Sequence, residues 1–419
     1  MSESASDSTG KGGGRLIRYI LCGVGLILAL ALEAPSSAAP ARPSIDREWQ
    51  GVVDDYRAAL QNGGTVGSSM ILAQDGKVIK SEYYGFADKA TGRPVDAQTI
   101  YHWASITKLF TTVAILQLRD RGKLRLDDRI IDYLPEAKQI HNPYGPMSQI
   151  TLRHLLTHTS GLRSATFPWG QGKDWYPHEP ANWSQVAAMM PYTEIEFPPG
   201  SKWSYSNLAM SMAGRVVEEI TGDHIEDYIT KNILMPLGMN RTFFDVTPYY
   251  LIPHRSSNYQ IHNGVAEAGN PNVETGATKG NGGLSGPLTD LLKFANFLLG
   301  VNDNGNYDTV LSRSSIAEME TPVIAIEETS NSVPGLHEQM GLGVFILHVP
   351  DKVHGGEIRV IGHTGSQANF LSWVYIDPQT RAAAVFAQNT IDLNADTDKS
   401  AFRRARAGLF TRILPAMRR

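Results

Sequence analysis

Tyr101-His102-Trp103-Ala104-Ser105-Ile106-Thr107-Lys108 opens an apolar helix that runs on through Leu109, Phe110, Val113 and Leu116. Ser105 and Lys108 stand three residues apart. On a helix that spacing puts both side chains on one face, about one turn apart. A hydroxyl is a poor nucleophile near neutral pH until a neighbour takes its proton, and an amine so placed can do that. A helix start adds unpaired N–H groups and the positive end of the dipole, which can hold a developing oxyanion. The plainer reading makes Ser105 a helix N-cap and Lys108 a solvated first-turn charge. The spacing alone does not decide between them, because Ser8-Thr9-Gly10-Lys11 repeats it.

Two distant stretches add to the first. In Phe197-Pro198-Pro199-Gly200-Ser201-Lys202-Trp203-Ser204-Tyr205-Ser206-Asn207 the Pro-Pro-Gly marks a turn. Tyr205 and Asn207 then sit between a loop and a helix. A tyrosine that shares a proton needs a nearby cation, which Lys108 can be. The Asn207 amide can bind a substrate carbonyl and hold the lysine. In Arg359-Val360-Ile361-Gly362-His363-Thr364-Gly365-Ser366 the residues are those of a strand, and its glycines admit a ligand backbone closely. At a sheet edge such a strand can pair with a peptide-like substrate. Each stretch alone has a bland explanation: packing for Tyr205, a satisfied polar residue for His363.

The three stretches, in this order and at these separations, resemble the serine β-lactamase and penicillin-recognising superfamily. The resemblance is greatest to the class C β-lactamase-related branch, with its D-Ala-D-Ala carboxypeptidase, esterase and D-aminopeptidase relatives. It covers about Ser68 to Asn389. Ile150-Thr151-Leu152-Arg153-His154-Leu155-Leu156-Thr157-His158-Thr159-Ser160-Gly161, Pro236-Leu237-Gly238-Met239 and Gly282-Gly283-Leu284-Ser285 look like the family too. The resemblance implies Ser105 as the nucleophile that forms an acyl-enzyme, Lys108 beside it, and Tyr205 as the proton shuttle. It implies substrate contacts from Asn207, His363, Thr364, Gly365 and Ser366, with the backbone N–H groups of Ser105 and Ser366 as the oxyanion hole. One departure stands out. Many β-lactamases carry Lys where this chain has His363, and that lysine helps hold the β-lactam carboxylate. Histidine is charged only part of the time near neutral pH. Arg359 lies four residues earlier on the same face and is a candidate carboxylate contact, although a salt bridge at the edge of the core is the commoner fate of such an arginine.

The expected function is therefore a secreted serine hydrolase forming an acyl-enzyme on amide, ester or lactam carbonyls, carboxypeptidase-like or esterase-like. A class C-type β-lactamase is the alternative, and a non-catalytic binding protein that kept the fold is the rival from another class. The rest of the chain bounds these readings. Its 419 residues, 42% hydrophobic and 19% charged, suit a folded chain of one large domain or two ordinary ones. The net charge of −4 gives no reason to expect nucleic acid as a partner. No cofactor is expected. His154 and His158 have a metal-ligand spacing, but no third ligand accompanies them, so no metal is expected either.

At the N-terminus, Lys11, Arg15 and Arg18 precede an uncharged apolar run from Tyr19 to Leu32 and then small residues up to Ala41. That order is the layout of a secretory signal. The run is short against the roughly 20 residues of a membrane span, and an uncleaved anchor is the alternative. The expected location is secreted or periplasmic, with membrane contact only through that segment. Its Cys22 is the single cysteine, so no disulfide is expected.

For the fold, Ile45–Leu60 has helical spacing, and Ser68–Ala73, Asp75-Gly76 and Lys77–Tyr84 read as a hairpin. Gly341–Val349, Glu357–Ile361, Asn369–Ile376 and Ala382–Ala387 read as strands, and Ala401–Leu414 as an amphipathic helix. The expected class is α/β (α+β): an antiparallel sheet built from both chain ends with flanking helices, residues 42–104 and 286–419, and an inserted all-helical domain, 105–285. Phe167–Asn182 and Thr321–Glu338 are expected loops that shape the pocket. Ser285 reads as a helix-start residue before Pro287.

Overall fold

Asp75 and Gly76 turn the chain back on itself, both in the left-handed region (φ 49° and 75°) that a tight hairpin turn demands. The strands they join are β1, Gly67–Gln74, and β2, Lys77–Asp88. In the computed structural model the described residues are 44–166, 180–270, 272–302, 305–327, 333–392 and 400–418. The signal-like segment of residues 1–41 lies outside them, as do 167–179 and 328–332 of the two expected loops.

Short strands follow: β3, Arg93–Pro94; β4, Ile100–His102; β5, Phe243–Phe244; β6, Tyr259–His262; β7, Val265–Ala268; and β8, Leu284–Pro287. The C-terminal part gives β9, Ile324–Ile326; β10, His337–Met340; β11, Phe345–Pro350; β12, Glu357–Gln367; β13, Phe370–Asp377; β14, Ala382–Gln388; and β15, Thr390–Ile391. One nine-stranded sheet runs β3-β2-β1-β14-β13-β12-β11-β10-β9. Its pairs are antiparallel, and the join between the chain ends is β1 against β14, with Met70 opposite Phe386. A sheet drawn from both ends is what the sequence pattern predicts.

Both faces of this sheet are covered. On one lie the Ile45–Asn62 helix, through Trp49, Val52, Tyr56 and Leu60, and the C-terminal helical stretch, through Ala405, Leu409, Phe410 and Ile413; they pack on Met70, Leu72, Trp373 and Phe386. On the other, Ile71, Val374, Val385 and Ala387 meet the helices Thr107–Asp120 and Leu288–Leu299. The Thr107–Asp120 helix is buried on nearly every side, and Phe110 stacks on Phe294 with ring centroids 4.0 Å apart. A fully buried side chain of that size contributes about 1.5–3 kcal/mol, so this helix is a firm base for the turn that precedes it.

The middle of the chain is not all helical. β5 and β8 lie in it and form a small sheet with β4, while β6 pairs with β7 on one side and β15 on the other. The apolar stretches Phe243-Phe244 and Leu284–Pro287 are too short to show a strand period, which is why they read as parts of helices and loops. Ser285 belongs to β8 and not to a helix start; the helix begins at Leu288.

Candidate active site

The chain reaches Ser105 through Ala104, whose φ of 53° is unusual for a residue with a side chain. A single 3-10 turn, Ala104–Ile106, leads into the Thr107–Asp120 helix, and Ser105 is partly exposed on it. Its hydroxyl caps neither element, so the N-cap reading fails. The turn is pinned from several sides. Trp103 N–H donates to the Leu284 carbonyl (2.8 Å), Leu284 N–H to Thr107 Oγ1 (3.0 Å), Thr107 Oγ1 to the Ala104 carbonyl (2.7 Å), and Ser372 Oγ to the Trp103 carbonyl (2.9 Å). Such a net can hold a left-handed alanine that would otherwise relax.

Lys108 is fully buried. Its Nζ lies 2.9 Å from Ser105 Oγ and donates to the Asn281 carbonyl at 2.8 Å. The solvated-charge reading therefore fails as well. Burial holds the amine well below the ordinary lysine range, and no carboxylate offsets it. The amine's anchor is the Asn281 backbone, a part the sequence reading gave to the Asn207 amide. Asn281 is itself held: its Nδ2 donates to Ser211 Oγ (2.7 Å), and Thr111 Oγ1 donates to the neighbouring Gly280 carbonyl (2.6 Å). Gly280 meets Gly214 so closely that a side-chain carbon on either would stand 3.1–3.2 Å from the other's Cα. Small residues there let the carbonyl reach the lysine.

Tyr205 ends the loop before the Asn207–Thr221 helix, and its phenol lies near enough to Ser105 for that hydroxyl to ease its ionisation. Its ring lies 5.0 Å from Lys108 Nζ. Burial pushes the phenol well above its ordinary range, and the Ser105 contact opposes this only in part. Lysine down and tyrosine up are two expressions of one cause: burial disfavours the charged form of each. Around the phenol the rings form a closed circuit. Centroids are 6.4 Å apart for Trp203–Tyr205, 6.4 Å for Tyr205–His363, 5.0 Å for His363–Phe345 and 6.1 Å for Phe345–Trp203. Trp203, Tyr205 and Phe345 are each partly exposed.

β12 brings the third stretch to the same place. Its partner β11 stops at Phe345, opposite Gly362, so His363 to Gln367 pair only with β13. That half of the strand packs against the Ser105 turn. Gly365 is required there: a Cβ would stand 2.1 Å from the Trp103 carbonyl oxygen. Thr364 is partly exposed and Ser366 exposed beside it. His363 is buried, and its Nδ1 donates to the Thr364 carbonyl. Burial first, then Lys108 whenever that amine is charged, lower it to about 3, so the ring is neutral at physiological pH. Arg359 is committed elsewhere: Nη2 donates to the Glu320 carbonyl and Nη1 lies 3.8 Å from its carboxylate. Of the two readings given for that arginine, the ion pair is the one found.

Asn207 is the first helical residue after Ser206, whose hydroxyl caps the helix. His154 and His158 do not share a site: His154 Nδ1 accepts the Thr151 N–H in a capping box, while His158 packs on Tyr205. Asn281, His158, Trp203 and Phe345 are the neighbours that sequence reading missed. For His158 a signal existed, its place in the Thr157–Gly161 stretch; for Asn281, which acts through its backbone, none did.

A model of the family described as Beta-lactamase matches residues 52–409. Protein flp of Staphylococcus aureus (strain MW2) is 32% identical over 190 residues, 45% of this chain and 37% of flp. Esterase EstB of Burkholderia gladioli is 32% identical over 193 residues, 44% of this chain and 48% of EstB. The chain thus matches less than half the length of these curated relatives. A solved structure described as a class C beta-lactamase superposes with a TM-score of 0.66 at 19% identity, covering 87% of this chain and 96% of that one. At that identity the superposition speaks for the fold.

Proposed function

The chain belongs to the Beta-lactamase family, and we propose that within it the protein is a serine acyl hydrolase acting on esters that carry no carboxylate beside the scissile carbonyl. One observation carries the acyl-transfer reading: Ser105 Oγ has the Lys108 amine at 2.9 Å, and the Tyr205 ring lies 5.0 Å from that same amine. A neutral buried amine has a lone pair to offer. In the proposed step the Ser105 proton passes to Lys108 Nζ as Oγ bonds to the substrate carbonyl carbon. The N–H groups of Ser105 and Ser366 receive the oxyanion. The C–O bond to the leaving alcohol breaks, its oxygen takes the Tyr205 proton, and the Lys108 ammonium returns one to the phenolate. Water then repeats the sequence and frees the acid. Asn207 and Thr364 line the substrate's path in this reading.

Two observations support the substrate class. A substrate carboxylate, as in a β-lactam or a D-Ala-D-Ala terminus, needs a cation. His363 is neutral and Arg359 is bound to Glu320. Meanwhile Trp203, Tyr205 and Phe345 offer apolar surface next to the nucleophile. That EstB is named an esterase agrees with this reading. We also propose an exported enzyme, on the basic, apolar and small-residue order of residues 11–41. Kinetics on p-nitrophenyl butyrate, a chromogenic cephalosporin and a D-Ala-D-Ala peptide test the substrate class. The ester should lead in kcat/KM by about 10²-fold or more, the size of discrimination that an unmatched polar group produces. A cephalosporin or peptide in first place would reverse the reading, and no turnover or labelling of any kind would favour a binding protein.

A further result should come from the strand. Gly365→Ala must part β12 from the Ser105 turn, since the new methyl would stand 2.1 Å from the Trp103 carbonyl and 2.6 Å from Ser372 Oγ. Steady-state assay should give a kcat/KM about 10²-fold lower, as expected for ångström-scale misplacement of a reacting group.

A further inference from the structure

We infer that His158 is a positioning residue that sets the Tyr205 phenol against Ser105; the inference rests on the acyl-hydrolase reading above. Three contacts from one residue bracket the tyrosine. The His158 carbonyl accepts the N–H of Ser204 at 2.8 Å. Its Nδ1 accepts the N–H of Ser206 at 3.1 Å. Its ring lies against the Tyr205 ring, centroids 4.7 Å apart and planes tilted by 35°. The residues before and after the tyrosine are thus tied to the same histidine, and the ring between them rests on it.

The local backbone is set up for this grip. His158 follows the short Leu152–Leu156 helix with a φ of 54°, a conformation a bulky side chain adopts only when its surroundings hold it there. The surroundings do: Thr159 N–H donates to the His154 carbonyl (3.0 Å) and Gly200 N–H to the Thr159 carbonyl (2.7 Å), which ties the turn to the loop that carries Tyr205.

Protonation is fixed as well. An Nδ1 that accepts a backbone N–H carries no proton, so in the neutral ring the proton sits on Nε2. Burial holds the ring well below the ordinary histidine range, and a proton on Lys108 or His363 would lower it further. A protonated ring would lose the Ser206 contact. Nε2 has no hydrogen-bond partner among the described residues, so the grip on the tyrosine runs through Nδ1, the carbonyl and the ring face.

The roles separate by substitution. Asparagine tolerates a positive φ and can offer Oδ1 where Nδ1 stood. Phenylalanine keeps a ring but offers no acceptor. The test measures kcat and KM of His158→Phe and His158→Asn on p-nitrophenyl butyrate, each normalised to the fraction of Ser105 labelled at end point by a fluorophosphonate. Normalising removes misfolded protein from the comparison. His158→Phe should lose about 10²-fold in kcat per labelled serine with KM within about threefold, and His158→Asn should recover at least about tenfold of that loss. Wild-type kcat per labelled serine in His158→Phe, or no advantage of asparagine over phenylalanine, would overturn the inference. Absence of label at Ser105 in the wild type would instead overturn the hydrolase reading, and the inference with it.

Discussion

Ser105→Ala should leave no measurable ester turnover, a fall of about 10⁴-fold or more in kcat, in a protein that folds as before. The size follows from the chemistry. The amine bonds that one oxygen and the tyrosine ring lies beside the amine, and neither can replace the bond that oxygen makes to the substrate. The cost to stability is small because the side chain is partly exposed and supplies one link of the network, worth about 0.5–1.5 kcal/mol. Initial rates with p-nitrophenyl butyrate, together with thermal unfolding by circular dichroism, check both halves. A variant that still turns over at a tenth of the wild-type rate would mean that another group attacks the carbonyl.

Lys108→Met should separate activity from stability. Methionine has nearly the same shape, so the fully buried site stays filled. The base is lost, and kcat should fall by about 10³-fold, within the range for general base catalysis. The Asn281 carbonyl loses its donor, a cost of about 1–3 kcal/mol, while an amine that burial disfavours is removed. The unfolding temperature at neutral pH should therefore stay close to that of the wild type or rise. The pH dependence has a definite sign. The folded site disfavours the proton on Lys108, whereas the unfolded chain binds it up to about 10.5. Between the lowered value and 10.5 the unfolded state holds more protons, so this group makes the wild type more stable as pH rises. Lys108→Met should lose that slope. Wild-type kcat/KM should fall as pH drops through the lowered value, where the amine takes a proton and ceases to be a base; the variant should lack this limb. Denaturant unfolding and rate profiles across pH measure both. A variant with wild-type kcat would exclude the amine from the reaction.

What the sequence made legible has a physical boundary. The hairpin at Asp75-Gly76, the strands around Gly362–Ser366 and the helix from Thr107 were readable because turn residues and apolar periods are local signals. The meeting of Ser105, Lys108 and Tyr205 was readable only through three motifs taken together. Ser105 and Lys108 are close in sequence, but Tyr205 comes from another loop. The small strands β5 and β8 were missed because two to four residues carry no period. The Asn281 carbonyl was missed because backbone atoms have no sequence signature. His363 could be named but not its charge, since burial sets that and burial is a property of the fold. The same holds for Arg359, whose strand position pointed to the His363 face while its partner proved to be Glu320.

The proposed chemistry stands on the acylation of Ser105. Incubation with p-nitrophenyl butyrate, an acid quench within milliseconds, and peptide-level mass spectrometry test it directly. A butyryl mass gain is expected on the peptide that contains Ser105, absent in Ser105→Ala. A clean spectrum at full turnover, or the gain on a different residue, would contradict it.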